Sequence, residues 1–253
     1  MTSIFIPPSA IKGRGDASRI AHRFERDERD AFDDGWGPGE ADGSDAPAPL
    51  QTQVTFEDAR SIISRNDSPD IYFEHSINPY RGCEHGCIYC YARPTHSYLG
   101  LSPGLDFETR LAYKPDAVEV LRRELAHPKY ACKPIALGIN TDAWQPVERH
   151  LRLTRGILET LAACRHPVSI VTKSALILRD LDILAQMAKQ HLVRVAVSIT
   201  TLNADLARRM EPRAASSQRR LSVLETLSAA GIPTAVLVAP LIPALTDHEL
   251  EDI

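Results

Sequence analysis

The chain has 253 residues, 43% of them hydrophobic, enough for one large α/β domain or two small ones around a sizeable core. Its net charge of -4 comes from residues 1–50, with 6 Lys/Arg against 10 Asp/Glu; the remainder is balanced at 23 of each, which excludes global attraction to nucleic acid but not a local basic patch. No apolar run approaches the ~20 residues that span a bilayer, and the start meets Lys12, Arg14 and Asp16 without the apolar core of a secretory signal, so a cytoplasmic setting with no membrane partner is expected.

Residues 1–50 read as a flexible arm and linker. Residues 11–34 mix Arg with Asp and Glu around Phe24 and Phe32, and 35–49 combine Gly, Pro, Asp and Ala with little to bury. The other use for Lys12 to Arg29 is an arm over a substrate or partner. A compact domain is expected at 51–253. Its first strand falls near 72–78 and leads into a cysteine-rich loop. Helices are expected at 115–125, 146–163, 174–189 and 217–230, the last closed by Gly231. Further strands fall at 134–139, 168–171, 192–199 and 232–239, and Thr246 or Asp247 is placed to cap a helix that the chain cuts off at Ile253.

Short strands alternating with longer helices imply βαβ units and a parallel sheet, open or barrel-like. In such folds chemistry collects beyond the carboxyl ends of the strands. Polar residues gather at those ends: Asn140, Thr141 and Asp142, then Thr172, Lys173 and Ser174, then Ser198, Thr200 and Thr201. Asn140 to Asp142 are equally suited to capping the helix that follows, and Gly138 before them leaves room for a ligand to approach.

The most informative segment is NPYRGCEHGCIYCY, from Asn78 to Tyr91. Cysteines spaced by three and then two residues can wrap one centre, and Gly82 and Gly86 relieve the backbone where it turns. Thiolates suit an iron–sulfur cluster or zinc. A cubane on Cys83, Cys87 and Cys90 leaves one iron open, whereas a structural zinc site normally completes four protein ligands. His85, His96, Cys132 or Cys164 are the candidates for that fourth place. Three cysteines within eight residues point to a metal site in a reducing compartment rather than to a disulfide scaffold.

Cys83-x3-Cys87-x2-Cys90, with Tyr89 before the last cysteine, resembles the signature of the radical S-adenosylmethionine superfamily. The longer stretch NPYRGCEHGCIYCYARPTHSYLG, together with NTDAWQPVE, EPRAAS and RRL, resembles the branch related to spore photoproduct lyase, and GRGDAS near the start is similar to an N-terminal feature of one bacterial subgroup. The resemblance implies an α/β fold of the partial (β/α)6 barrel type, here truncated after the fifth strand and catalytically incomplete. It implies a [4Fe–4S] cluster on Cys83, Cys87 and Cys90 and S-adenosylmethionine on its open iron. One electron, from a donor such as flavodoxin or ferredoxin, then cleaves the sulfonium to a 5′-deoxyadenosyl radical that takes hydrogen from a substrate.

The substrate is unknown, with DNA or RNA as candidates and a lyase reaction as one outcome. The resemblance further implies that Asn140, Thr141 and Asp142 hold the amine and methionine portion, Lys173 or Arg213 the carboxylate, Ser198 and Thr200 the ribose, and Val238 with its neighbours the adenine. Arg213 belongs to a cluster with Arg208, Arg209, Arg219 and Arg220 that is otherwise read as a solvated face or a phosphate contact. The competing functions are a zinc-stabilised interaction module and an iron–sulfur protein that only passes electrons.

Overall fold

A computed structural model describes residues 11, 13–18, 20–21, 24 and 51–253. Most of the expected N-terminal arm and linker therefore lies outside the described residues. The strands are β1 (Gln53–Phe56), β2 (Ile63–Arg65), β3 (His75–Ile77), β4 (Tyr80–Arg81), β5 (Arg110–Tyr113), β6 (Ile135–Leu137), β7 (Val168–Thr172), β8 (Val193–Ser198) and β9 (Thr234–Leu237). The α-helices are α1 (Asp106–Thr109), α2 (Ala117–Leu125), α3 (Glu148–Leu151), α4 (Leu153–Ala163), α5 (Leu181–Ala188), α6 (Ala204–Met210) and α7 (Ser217–Ala229).

The main sheet runs β2-β3-β6-β7-β8-β9. From β3 onward every pairing is parallel, with His75 opposite Ile135, Ile135 opposite Val168 and Val168 opposite Val193. Parallel strands need crossovers, and the intervening helices supply them. The inner strands β6, β7 and β8 are rich in Val and Ile because both of their faces are covered, whereas the edge strand β9 is mostly exposed. Ile135, Leu137, Ile170 and Val197 are buried with Leu121 of α2, Ile157 and Leu161 of α4, Leu184 of α5 and Leu227 of α7 in one core. Each such side chain contributes roughly 1.5–3 kcal/mol on burial.

The expected barrel truncated after its fifth strand is corrected by this topology. Nine strands form in two sheets among the described residues. The main sheet carries an antiparallel edge strand, β2, paired to β3 with Arg65 opposite His75. A second sheet, β1-β5-β4, stands apart from it. Its strands are two to four residues long, and β1 is exposed throughout, so no apolar alternation announces it.

Two expected helices are also broken. Arg152, at φ 54°, separates α3 from α4. The segment expected at 174–189 begins as a 3₁₀ turn at Ala175–Asp180, with the Ser174 side chain accepting from Leu176 N–H, before α5 starts. The expected helix after Thr246 is a 3₁₀ turn at Asp247–Glu249. Gly231, at φ 75°, ends α7 as the glycine rule requires.

Candidate active site

The cysteine loop leaves β4 and is held from behind by α1 and the start of β5. Cys83 N–H donates to the Phe107 carbonyl at 2.9 Å. Gly82 and Gly86 both adopt positive φ, at 77° and 68°. A Cβ on Gly82 would stand 2.6 Å from Leu111 Cδ2, and one on Gly86 2.7 Å from Glu108 Oε2. Arg93 Nε and Nη2 donate to the Cys87 carbonyl at 3.1 and 3.0 Å, while Nη2 also reaches Glu108 Oε1 at 2.5 Å. Ile88 N–H donates to Met210 O and Arg213 N–H to His85 O, so the loop is tied to the end of α6 as well.

Cys83, Cys87 and Cys90 line one cavity of about 490 Å³. Its opposite wall is built from the carboxyl ends of the parallel strands: Gly138 to Asp142 after β6, Thr172 and Lys173 at β7, Ser198 at β8, and Leu237, Ala239 and Pro240 at β9. Burial pushes all three thiols up, Cys87 to about 12, so metal binding must displace their protons. Among the described residues no three of His, Cys, Asp and Glu close on one ion-sized point. Three thiols around a shared cavity form a donor set that fits a multi-iron cluster. Cys132 and Cys164 are exposed and, like His96, take no part in the lining.

The strand-end residues divide by what their atoms touch. Asn140 is exposed, and its N–H donates to Asn78 Oδ1 at 3.0 Å. Thr141 Oγ1 donates to Tyr80 O at 3.2 Å. Asp142 is saturated from within: Oδ1 accepts from Trp144 N–H at 2.8 Å, and Oδ2 from Lys173 N–H at 2.7 Å. Thr172 Oγ1 lies 2.9 Å from both of its oxygens. His85 Nδ1 lies 3.4 Å from Asp142 Oδ2, and burial holds its ring below the ordinary histidine range. Gly138, at φ 84°, is required by the sheet, since a Cβ there would stand 2.2 Å from the Val171 carbonyl.

Lys173 Nζ donates to Ser198 Oγ at 2.6 Å and lies 3.8 Å from Glu211 Oε1. Both Lys173 and Ser198 line the cavity. Thr200 sits just behind it, with Oγ1 2.7 Å from Glu211 Oε1 and 3.1 Å from Tyr89 Oη. Val238 is half-buried beside the lining residues Leu237 and Ala239, without itself lining the cavity. Arg213 turns elsewhere: its Nη2 donates to Glu84 Oε1 at 3.0 Å, outside the lining.

Glu211 is the residue that spacing does not single out for the site, and Arg220 stands in the sequence only as one of an arginine cluster. His85, a candidate fourth ligand, and Tyr89 of the cysteine signature both line the cavity. Glu211 is buried and receives Tyr89 Oη and Arg220 Nη2. Arg220, only 1% exposed, also donates to Ser198 O at 2.8 Å and Ala215 O at 2.7 Å. The arginine cluster is thereby dispersed: Arg208 pairs with Asp205 on the surface, Arg213 with Glu84, and Arg220 with Glu211 in the interior. Among the described residues no helix is long and apolar enough to cross a membrane.

Comparison with known proteins agrees with this architecture. An uncharacterized protein of Mycobacterium tuberculosis (strain ATCC 25618 / H37Rv) is 41% identical over 203 residues, covering 79% of this chain and 60% of the relative. An uncharacterized protein of Methanocaldococcus jannaschii is 30% identical over 176 residues, covering 70% of this chain and 63% of the relative. The chain thus spans less than two thirds of the length of these relatives. Among solved structures, spore photoproduct lyase complexed with dinucleoside spore photoproduct shares the fold at a TM-score of 0.54 and 19% identity, over 75% of this chain and 52% of that one. The family model of the radical SAM superfamily matches residues 77–253. With its three cysteines, strand-end cavity and parallel sheet inside that span, the chain belongs to the radical SAM superfamily, in which S-adenosylmethionine and a [4Fe–4S] cluster are the typical cofactors.

Proposed function

We propose that residues 51–253 hold a [4Fe–4S] cluster on Cys83, Cys87 and Cys90 and bind S-adenosylmethionine in the cavity they share with the strand ends. The observation that carries this reading is the enclosure of all three thiols with Lys173 and Ser198 around one space of about 490 Å³. Bound there, the two cofactors supply reductive cleavage of the sulfonium to a 5′-deoxyadenosyl radical that abstracts hydrogen from substrate.

The chain's own residues bind and orient. Lys173 is the cavity-lining cation suited to a carboxylate, and Ser198 Oγ beside it is suited to a ribose hydroxyl. Asp142 acts by position, since its oxygens are already engaged by Thr172, Lys173 N–H and Trp144 N–H. Glu211 and Arg220 fix Lys173, Thr200 and Tyr89 from behind. Leu237, Ala239 and Pro240 give an apolar wall for the adenine. A one-electron donor such as flavodoxin or ferredoxin supplies the reductant. Nucleic acid is the substrate class we favour, supported by the solved spore photoproduct lyase variant with bound AdoMet and dinucleoside spore photoproduct.

The test is anaerobic reconstitution followed by iron and sulfide analysis, then incubation with dithionite and S-adenosylmethionine. About four irons per chain, with methionine and 5′-deoxyadenosine as products, is the expected result. Stoichiometric zinc without sulfide overturns it in favour of an interaction module. Reversible reduction without S-adenosylmethionine binding overturns it in favour of electron transfer.

A further inference from the structure

At the amino-terminal end of the parallel strands, away from the cysteine loop, a second cavity of about 510 Å³ opens between β2, the start of β3 and the turn after α2. Arg65, Arg123, Lys129, His75, His127 and Tyr130 line it. Three of these are cations, and neither Arg65 nor Lys129 forms an ion pair among the described residues. The one carboxylate in the lining, Glu124, is already occupied: it accepts from Ser61 Oγ at 2.5 Å, Ile62 N–H at 3.0 Å and Ile63 N–H at 3.1 Å. Glu124 keeps its charge, since its donors are neutral, so the lining sets three cations against one carboxylate and carries a positive excess.

His75 makes the site more than a charged surface. It is 6% exposed, it lines the cavity, and its Nδ1 has no hydrogen-bond partner. A buried polar atom left unpaired costs roughly 1–3 kcal/mol, and such atoms in native proteins commonly mark an absent ligand, ion or water. Burial, reinforced by Arg65, holds His75 below the ordinary histidine range.

The ring is also fixed in place. It stacks on Tyr130 with centroids 5.9 Å apart and planes at 29°. Tyr130 Oη is 2.7 Å from His166 Nε2, and His166 Nδ1 is 3.0 Å from the Pro167 carbonyl. A carbonyl only accepts, so His166 Nδ1 carries the proton and Nε2 accepts from the Tyr130 hydroxyl. That chain settles the orientation of Tyr130 and, through stacking, of His75.

We propose that this cavity binds a phosphate-bearing anion, with Arg65, Arg123 and Lys129 supplying charge and the His75 ring the buried hydrogen-bonding group of its lining. Phosphate fits better than a carboxylate because three cations stand against a single acid, and a multiply charged anion meets that excess more fully. The volume exceeds that of a bare ion and falls within the usual range of small-molecule sites. A phosphate monoester or diphosphate is thus the ligand class. The same phosphate chemistry is offered by a free compound and by a nucleic-acid backbone.

The experiment is calorimetric titration of the protein as isolated with pyrophosphate and with 5′-AMP at constant ionic strength. Saturable one-to-one binding is expected. Replacing exposed cations of the site in an Arg65→Gln/Lys129→Gln variant is expected to weaken it by about tenfold or more, and His75→Asn to weaken it without loss of native circular dichroism. An Arg149→Gln/Lys189→Gln variant, which removes equal charge from exposed positions elsewhere, is expected to bind as the parent does. A short single-stranded oligonucleotide that displaces pyrophosphate assigns the phosphate to a nucleic-acid backbone; failure to displace it assigns a free phosphate compound. Absence of saturable binding at millimolar probe, or equal weakening in both double variants, overturns the site. None of these readouts depends on the cluster, so the proposal stands or falls separately from the radical chemistry.

Discussion

The backbone N–H of Gly15 donates to Glu108 Oε2 at 2.9 Å, seating the N-terminal GRGD segment against the back of the cysteine loop. Glu108 is fully buried, and its other oxygen receives Arg93, which in turn donates to the Cys87 carbonyl. Arg14 extends the same clasp, with Nη1 on Glu108 O at 3.0 Å and Nη2 on Thr52 Oγ1 at 3.1 Å. No side chain fits at position 15, because a Cβ would stand 1.8 Å from the Gly86 carbonyl.

Gly15→Ala is therefore expected to release the segment from the loop. Overpacking of this kind costs about 1–3 kcal/mol. The check is limited trypsin digestion, since Arg14 is buried in the parent. Faster cleavage after Arg14, with increased hydrogen exchange over residues 82–90, is the expected outcome. Unchanged protection of both would show that the clasp does not hold the loop.

The separation of the five cysteines predicts a simple division of phenotypes. Cys83, Cys87 and Cys90 share the cavity, whereas Cys132 and Cys164 are exposed. Serine at any of the first three is expected to abolish iron retention after anaerobic reconstitution. Serine at Cys132 or Cys164 is expected to leave iron and sulfide at the parent level. Iron loss in either of those two variants would mean that one of them closes the centre.

What the sequence made legible follows from periodicity and proximity. The inner parallel strands are visible because Val193, Val195 and Val197, like Ile135 and Leu137, are buried on a covered sheet. The small sheet was invisible because Gln53–Phe56 is exposed and its partners are separated by the cysteine loop. Helix α6 is only seven residues long, yet Asn203 does announce it, accepting from Asp205 N–H and Leu206 N–H at 3.0 Å. At the site, the tight spacing of Cys83, Cys87 and Cys90 marked a local loop. Glu211 and Arg220 escaped because their roles depend on a contact with Tyr89 across more than a hundred residues, and a buried arginine has the same letter as a solvated one.

That buried pair carries a pH signature. Burial pushes Glu211 up, but Arg220 and Lys173 outweigh it and hold its carboxyl below the ordinary 4.5. A depressed folded-state value contributes stability that is fully present above 4.5 and is lost as pH falls through the folded value. In Glu211→Gln this acid-sensitive component is expected to disappear. At neutral pH the same variant leaves Arg220 charged and interior without its carboxylate, a loss of about 3–5 kcal/mol. Urea denaturation of both proteins across the acid range checks the two effects, and parallel acid slopes would count against the assignment.

Lys173 and Arg213 are two cations that chain position alone does not rank for the cofactor carboxylate, and the geometry separates them. Lys173 Nζ stands in the cavity wall, 2.6 Å from Ser198 Oγ and 5.7 Å from the centre of the Tyr89 ring. Arg213 faces Glu84, which also accepts from Thr52 Oγ1 at 2.7 Å, on the side of the loop where the N-terminal segment lies. A charge-assisted hydrogen bond contributes about 1.5–3 kcal/mol, so Lys173→Met is expected to weaken S-adenosylmethionine binding by about tenfold or more. Lys173→Arg should recover part of that affinity, whereas Arg213→Gln should change it little while loosening residues 84–86. Equilibrium dialysis of anaerobically reconstituted variants matched for iron content measures this directly. Equal affinity in Lys173→Met and the parent, or a larger loss in Arg213→Gln, would transfer the carboxylate role away from Lys173.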